Sequence, residues 1–478
     1  MEVKMYYISK SILSNFRVVT ALIFLVTCVT SSYGQSSENR DSNKNENKTK
    51  VLTVEDYIEN ALLFNPAITG AGQSRNRYKN LYEKERALPD NPVLSAAYQN
   101  VPLNTFPALD QSQMSSVTLS LSQKIPSPGE AKFRYQMAYW NYIGEFYQYW
   151  EVRNQIILKV KFTYHNLNFL YQKKSILFQS EKALLNIVSV ARAMVSVNKM
   201  NSSHLLKLEA DLSVLKNKLL ELESQIVSAG AKLEEISRLK PPVYKENLTQ
   251  TSVWLKPADL VKLPEGFHYR NHPLYLAMEA ALIREQSVTG YAKSKALPGV
   301  TLSASYSFRS EIQGMSTGED FISFKVSTPL PVYYAGKERK EVKASENHME
   351  EIRSKKKELE LALVSGWKGE SEKAKLLLAS YKGYERDVIP RYFASYNALL
   401  GSLSAGTVTL LDVLDSYRLY LSSVISQAEL YRNLRYSTSI MEYYLSSAPK
   451  RDTKKDPKNS VIENRAIEKE NTNNGDSK

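Results

Sequence analysis

Two aspartates three residues apart, Asp412 and Asp415, open a long helical stretch near the end of the chain. Residues at that spacing share a helix face. Carboxylates there can complement the positive end of the helix dipole. Repeated around a symmetry axis, they can instead form a charged ring that gates a pore. His268 and His272, four apart, could ligate a metal, but beside Pro273 the same spacing marks a helix entrance. The single cysteine, Cys28, excludes an intrachain disulfide. The chain has no Gly-x-x-x-x-Gly-Lys phosphate loop, no His-Glu-x-x-His, no Cys-x-x-Cys and no nucleophile–base arrangement. Those residues point away from an enzyme; no cofactor is expected. With 5 histidines and 1 cysteine, no resident metal site is expected either.

The charge balance of +13 would suit an anionic partner, but basic residues are interspersed with acids and no block of like charge appears. Nucleic acid is therefore not an expected partner. At the N-terminus Lys4, Lys10 and Arg17 precede the apolar run 18–30 and the small residues Ser31-Ser32-Tyr33-Gly34. That order predicts a secretory signal over 1–34 cleaved before Gln35. The stretch Leu25–Cys28 resembles a lipoprotein box, with Cys28 as the possible lipid-bearing residue. Beyond residue 34 no run of about 18 apolar residues occurs, so any membrane crossing requires a closed β-barrel.

The elements carrying these residues are written twice. Asn65-Pro66 and His272-Pro273 each lead into an amphipathic helix, followed by Ala87-Leu88-Pro89 and Ala296-Leu297-Pro298. Pro89 to Pro298 is 298 − 89 = 209 residues, and Pro126 to Pro331 is 331 − 126 = 205, a stable offset that marks an internal duplication. The domains read as a disordered segment 35–50, a first repeat 51–240, a linker 241–262, a second repeat 263–448 and a disordered tail 449–478. Each repeat predicts a β-hairpin, about 92–125 and 299–330, whose strands alternate apolar residues with Ser and Thr. Long helices follow, Glu130 to about Val197 and Gly336 to about Leu400. Leu205, Leu208, Leu212, Leu215, Leu219, Leu222 and Ile226 form a heptad stripe, as do Val413, Tyr417, Tyr420, Val424, Tyr431 and Leu434, so the helices pack as coiled coils. The aromatic stretch 133–150 reads as packing between helices.

Strands of about ten residues, apolar outside and polar inside, suit an outer-membrane barrel. Four per chain cannot close one, because small barrels start at about eight strands and an open edge leaves backbone groups unpaired. Sister chains must then supply the remaining strands. The fold class is mainly α with a small β part: a long coiled-coil α-helical barrel plus four strands per chain contributing to a transmembrane β-barrel, which at least two chains must pool and three would close as a trimeric, 12-stranded one.

Residues 404–433, with Gly406, Thr407, Thr409, Asp412, Val413, Leu414 and Asp415, resemble the last periplasmic helix of the TolC-like outer-membrane efflux family. Residues 328–342 are similar to that family's exit from its fourth strand, and the duplicated order matches over about 51–446. The stretches 90–95 and 119–134 look most like the heavy-metal efflux branch, although Glu130 stands where a basic residue is usual. The resemblance implies a homotrimer in the outer membrane, spanning into the periplasm and resting in outer-membrane lipid. It would passively conduct cargo from an inner-membrane, proton-driven pump through a periplasmic adaptor; metal cations are one possible cargo. It places Asp412 and Asp415 at the aperture gate, with Leu206 and Glu209 at the matching places of repeat one. The adaptor-docking tip turns would be Asn198, Lys199, Met200, Asn201 and Ser202, and Ser404, Ala405, Gly406 and Thr407. Gly406 would break the helix, Thr407 would cap the next one from near Gly406, and Met200 would make the first turn bulkier. Alternatives are a periplasmic coiled-coil scaffold or adaptor with a soluble sheet, and an outer-membrane duct for type I protein secretion.

Overall fold

Helix α1, Val54–Phe64, starts where Thr53 accepts the Asp56 N–H while Asp56 accepts from the Thr53 N–H at 2.7 Å. This reciprocal box satisfies two otherwise orphaned donors. α2, Pro66–Arg86, follows at once, and its first turn is set by Asn65, whose Oδ1 accepts from the Ala67 N–H at 2.9 Å. The computed structural model describes residues 52–86, 90–103, 106–110, 112, 114–198, 200–241, 263–311, 318–330, 332–333, 336–404 and 407–449. All lie in the compact unit Leu52–Lys478. Cys28, the 1–34 segment, the 35–50 segment, Lys199, Ala405, Gly406 and nearly all of the 241–262 and 449–478 stretches fall outside the described residues.

Repeat one continues with β1, Val93–Gln99, β2, Ser116–Ile125, α3, Glu130–Ser196, and α4, Ser202–Ser237. After a 3-10 turn, Tyr269–Asn271, repeat two runs α5, Pro273–Ser294, β3, Val300–Phe308, β4, Phe321–Ser327, α6, Glu338–Gly383, α7, Ile389–Ser404, and α8, Leu410–Tyr444. Both halves run helix, hairpin, long helices, although a 3-10 turn stands in the second where the first has α1, and its rod after the hairpin is divided at Tyr384–Val388. His272 does for α5 what Asn65 does for α2: its Nδ1 accepts the Leu274 N–H at 3.3 Å, with Pro273 at the position where a missing N–H costs nothing.

α3 spans 67 residues without a break, about 100 Å at helical rise. It packs against α1, α2, α4, α5 and α8 and is the mast on which both repeats are hung. Its middle carries the largest core: Ile156, Val160, Leu167 and Leu170 meet Tyr57, Ala61, Leu222, Ile226, Leu233 and Ala428. Its first turns carry the aromatic stretch, where Tyr139, Trp140 and Ile143 are buried with Tyr82 of α2 and Ala280 of α5. Tyr82 stacks on Tyr142 with ring centroids 5.9 Å apart, so these rings fill helix–helix space. The heptad stripes lie inward: Leu208, Leu222 and Ile226 are buried on α4, Val413 and Leu434 on α8. α8 buries a second stripe, Leu414, Leu421 and Ala428, because it is wedged between α3 and the α6–α7 rod. That rod is not uniform. Residues Tyr384–Val388 widen into a π turn just before Pro390. Pro390 lacks an N–H, and its ring would strike the carbonyl four residues back, so the wider turn is where the helix absorbs it.

The four strands form one antiparallel sheet in the order β1-β2-β3-β4. β2 and β3 are joined through almost the whole of repeat one yet pair directly, from Val117 opposite Phe308 to Ile125 opposite Val300. Close approach of the chains here depends on Gly299, where a Cβ would lie 2.7 Å from the Ile125 carbonyl oxygen.

α5 crosses α3 closely at Gly290, where an added Cβ would run into the Phe133 ring. Gly290→Val is expected to destabilise the protein by about 1–3 kcal/mol through overpacking. In the Phe133→Ala background the loss should shrink. A double-mutant cycle by thermal or urea unfolding measures both effects.

Candidate functional site

The register sorts the sheet into two unlike faces. Leu94, Leu121, Ala304 and Phe324 lie side by side across the four strands, and so do Ala96, Leu119, Tyr306 and Ile322. Tyr98, Val117, Phe308, Leu302 and Val326 extend the same apolar face. The opposite face carries Ser95, Ser120, Ser305 and Ser323 in one row, with Thr118 and Ser307 in the next, their hydroxyls 2.8 Å apart. The apolar face is the bare one: Leu94 is 72% exposed, Phe324 82% and Val326 70%. Burying one such side chain is worth about 1.5–3 kcal/mol, so a sheet built for water would have folded this face inward. β1 and β4 also leave their outer edges unpaired among the described residues. Among the described residues no helix is long and apolar enough to cross a membrane.

At the far end of α3 the two tip turns come together. Leu184, Val188 and Ala191 of α3, Leu208 of α4, and Leu410 and Leu414 of α8 form one cluster, with Met200, Leu205 and Leu403 packed against it. In the first turn Asn198 takes the left-handed conformation, φ 58°, which asparagine tolerates better than most residues. Asn201 caps α4 by accepting the Ser203 N–H at 2.9 Å. Met200 does not enlarge this turn; it folds back onto the cluster, because its flexible apolar chain gains more by burial.

In the second turn the cap is Thr409, not Thr407, and α8 starts at Leu410 rather than near Gly406. Thr409 Oγ1 accepts the Asp412 N–H at 3.3 Å, and the Asp412 carboxylate accepts from the Thr409 N–H at 2.9 Å and its hydroxyl at 2.6 Å. Thr407 serves the preceding helix: its N–H and its hydroxyl both donate to the Ser402 carbonyl, at 3.1 and 3.0 Å. Asp412 is therefore the acidic half of a capping box, and the Thr409 hydrogen bonds hold its carboxyl below the usual range. Asp415 sits on the surface one turn on and pairs with Arg418 at 3.1 Å. Arg418 also reaches Asp211 of α4 at 2.6 Å, tying the two repeats together beside the tip. In repeat one Leu206 is exposed and Glu209 is held by Arg192 at 2.7 Å. The caps Asn201 and Thr409 are 208 apart by subtraction (409 − 201), two more than the sequence offset that matched Leu206 with Asp412, so those pairs are not equivalent on their helices.

Among the described residues no group of three or more His, Cys, Asp or Glu could hold a metal. His272 is wholly buried as a cap against the Tyr443 ring, 5.1 Å between centroids, and burial holds its pKa down to about 4. Tyr443 in turn donates to Glu151 at 2.5 Å. Burial pushes the Glu151 carboxyl up, against the Tyr443 and Gln155 hydrogen bonds that lower it. His165 is held down to about 3, mainly by burial, with Arg435 and Lys161 adding to it. Sequence patterning marked His272 as a helix entrance but missed Glu151 and His165, because a lone Glu or His on an apolar helix face has no spacing partner to announce it.

No protein-family profile and no curated protein sequence matches the chain. Solved structures do. CusC, whose folding accompanies transmembrane channel formation, superposes with a TM-score of 0.69 at 15% identity, covering 83% of this chain and 92% of its own. The CmeC outer-membrane channel of Campylobacter jejuni gives 0.69 at 15% identity, over 85% of this chain and 88% of that one. The outer-membrane protein VceC of Vibrio cholerae gives 0.67 at 14% identity, over 83% and 96%. The fold is thus that of the TolC-like outer-membrane efflux channels: mostly helical, with a small four-stranded sheet.

Three variants test these geometries by stability. Thr409→Ala should cost about 1 kcal/mol through the lost cap. Because the Asp412 pKa is depressed on folding, its contribution is present above the unfolded value and fades as pH falls through the folded one. Asp412→Asn should remove that acid sensitivity in unfolding experiments between pH 5 and 2. The buried histidines act in the same direction over a higher range: unfolded histidine binds protons below about 6.5, while folded His165 and His272 resist until about 3 and about 4. Glu151 has the opposite sign, since a raised carboxyl pKa withdraws stability as pH rises. Glu151→Gln should therefore raise the unfolding midpoint at pH 8 relative to that at pH 5.

Proposed function

We propose that this chain is the outer-membrane exit duct of a tripartite efflux system, a homotrimer that passively conducts cargo delivered by an inner-membrane pump through a periplasmic adaptor. The observation that carries this reading is the bare apolar face of a four-stranded sheet with two free edges. Lipid is the solvent that accepts such a face, and the edges find partners only in further copies of the sheet. Three copies pool twelve strands, and the likeness in fold to outer-membrane channels supports that closure. A periplasmic scaffold with a soluble sheet would have to cover the same face, and none of the described residues does. Export by the 1–34 segment, with or without a lipid on Cys28, fits an outer-membrane destination.

Residues 51–240 and 263–448 act in this reading as two repeats that supply matching parts of barrel and tunnel. The tip turns, 198–202 and 404–407, are the adaptor's docking surface, because they end the longest helices and share one core. Asp415, with Asp412 behind it, lines the aperture and repels its symmetry mates as the helices converge; Arg418 supplies the compensating contact that allows closure. The expectation of a metal cargo rests on the resemblance to the heavy-metal branch alone, and any metal selectivity would lie in the pump.

Outer-membrane fractions should yield a trimer that survives SDS at room temperature and conducts ions in planar bilayers. A soluble monomer without conductance would overturn the reading. Asp415→Ala with Asp412→Ala should raise single-channel conductance; an unchanged value would remove the gate while leaving the duct.

A further inference from the structure

The four strands contain only two charged residues, and both are lysines, Lys124 on β2 and Lys325 on β4. The register puts both on the serine-rich face. Lys124 stands opposite Thr301 and Lys325 opposite Ser303, so the two flank β3 near the helical end of the sheet. Strand spacing and rise separate their Cα atoms by about 12 Å. Both side chains are exposed, and neither ammonium has an ion-pair partner among the described residues.

No carboxylate offsets them from within the strands. The acids nearest the sheet lie beyond the strand ends, and two of them, Asp90 and Asp320, are engaged. Asp90, at the helical end, pairs with Arg134 at 3.8 Å. Asp320, at the other end, accepts from the Tyr306 hydroxyl at 2.6 Å and the Arg309 N–H at 3.0 Å. Glu311 and Glu319 belong to the hairpin loop that bounds β3 and β4. At the tip, Asp412 is committed to its capping box and Asp415 to Arg418. The uncompensated fixed charge of the sheet is therefore positive and faces what the duct reading makes the lumen.

Resting on that reading, we propose that the barrel is an anion-selective filter and that the cargo leaving through it carries net negative charge. Threefold closure turns the lysine pair into a ring of six ammonium groups. A twelve-stranded barrel has a radius on the order of 12 Å. Less the reach of a lysine side chain, the axis then lies within about one Debye length of the ring at 0.1 M salt. Rings of Lys or Arg attract anions and repel cations. The same field opposes free divalent metal cations, so a metal would have to leave as an anionic complex.

The test uses the full-length trimer in planar bilayers under a KCl gradient at low ionic strength, read as the chloride-to-potassium permeability ratio. The native channel should give a ratio above one. Lys124→Gln with Lys325→Gln should bring it to one or below, Lys124→Arg with Lys325→Arg should keep it, and raising salt to 1 M should flatten it. A native channel that prefers potassium, or a ratio unmoved by the double glutamine variant, would overturn the filter while leaving the duct intact. A protein with no conductance would overturn both.

Discussion

Everything in this molecule answers to one mismatch: a sheet whose apolar side is left bare by the rest of the described residues. In water the hydrophobic effect would drive those side chains under a helix, and the chain has eight helices available among its described residues. None covers it. The helices instead bury their stripes against one another and leave the sheet as a separate panel. Its two faces are unlike, with Leu94, Leu121, Ala304 and Phe324 across one and Ser95, Ser120, Ser305 and Ser323 across the other, the pattern of a wall between an apolar and a polar medium.

The long mast explains how that wall is connected to anything. α3 runs from the aromatic cluster just below the strands, through the equatorial core, to the tip cluster. Distortion at one end is carried by a single uninterrupted helix to the other. The tip is fastened on both sides, by Asn201 and Thr409 as caps and by Asp211–Arg418–Asp415 as a bridge between repeats. The equatorial clasp is of a different kind. Asn65 Nδ2 donates to the Ile236 carbonyl, Asn60 Nδ2 to Ser237 and the Tyr57 hydroxyl to Lys240, so the first helix is stitched to the last turn of α4 by side-chain-to-backbone bonds. Such bonds satisfy carbonyls that a helix end leaves without partners.

Much of this was legible in the residues. Period-two alternation located the strands, the heptads of α4 and α8 located the inward faces, and the Asn65-Pro66 and His272-Pro273 pairs marked equivalent helix starts. The acidic pair at 412 and 415 was visible too, but its chemistry was not. Distinguishing a cap from a gate requires knowing that Thr409, rather than Thr407, has the extended backbone, and two threonines two residues apart look alike in sequence. The second stripe of α8 was hidden for a related reason: periodicity reports that a face is apolar, and a helix packed on two sides dilutes its own signal. Buried Glu151 and His165 left no trace, because their roles depend on neighbours from distant parts of the chain.

The π turn before Pro390 has a quiet effect on all that lies beyond it. One surplus residue in a helix advances its phase by about 100°, so the rod arrives at the tip with its aromatic side swung toward α8. There Phe393 meets Tyr420 and Tyr396 meets Tyr417, at 5.3 and 5.0 Å between ring centroids. The bulge is thus a rotational shim. Turned back by that angle, those two rings would no longer face Tyr420 and Tyr417, and the arm would hold its neighbour by fewer contacts, among them Ser416–Ser395.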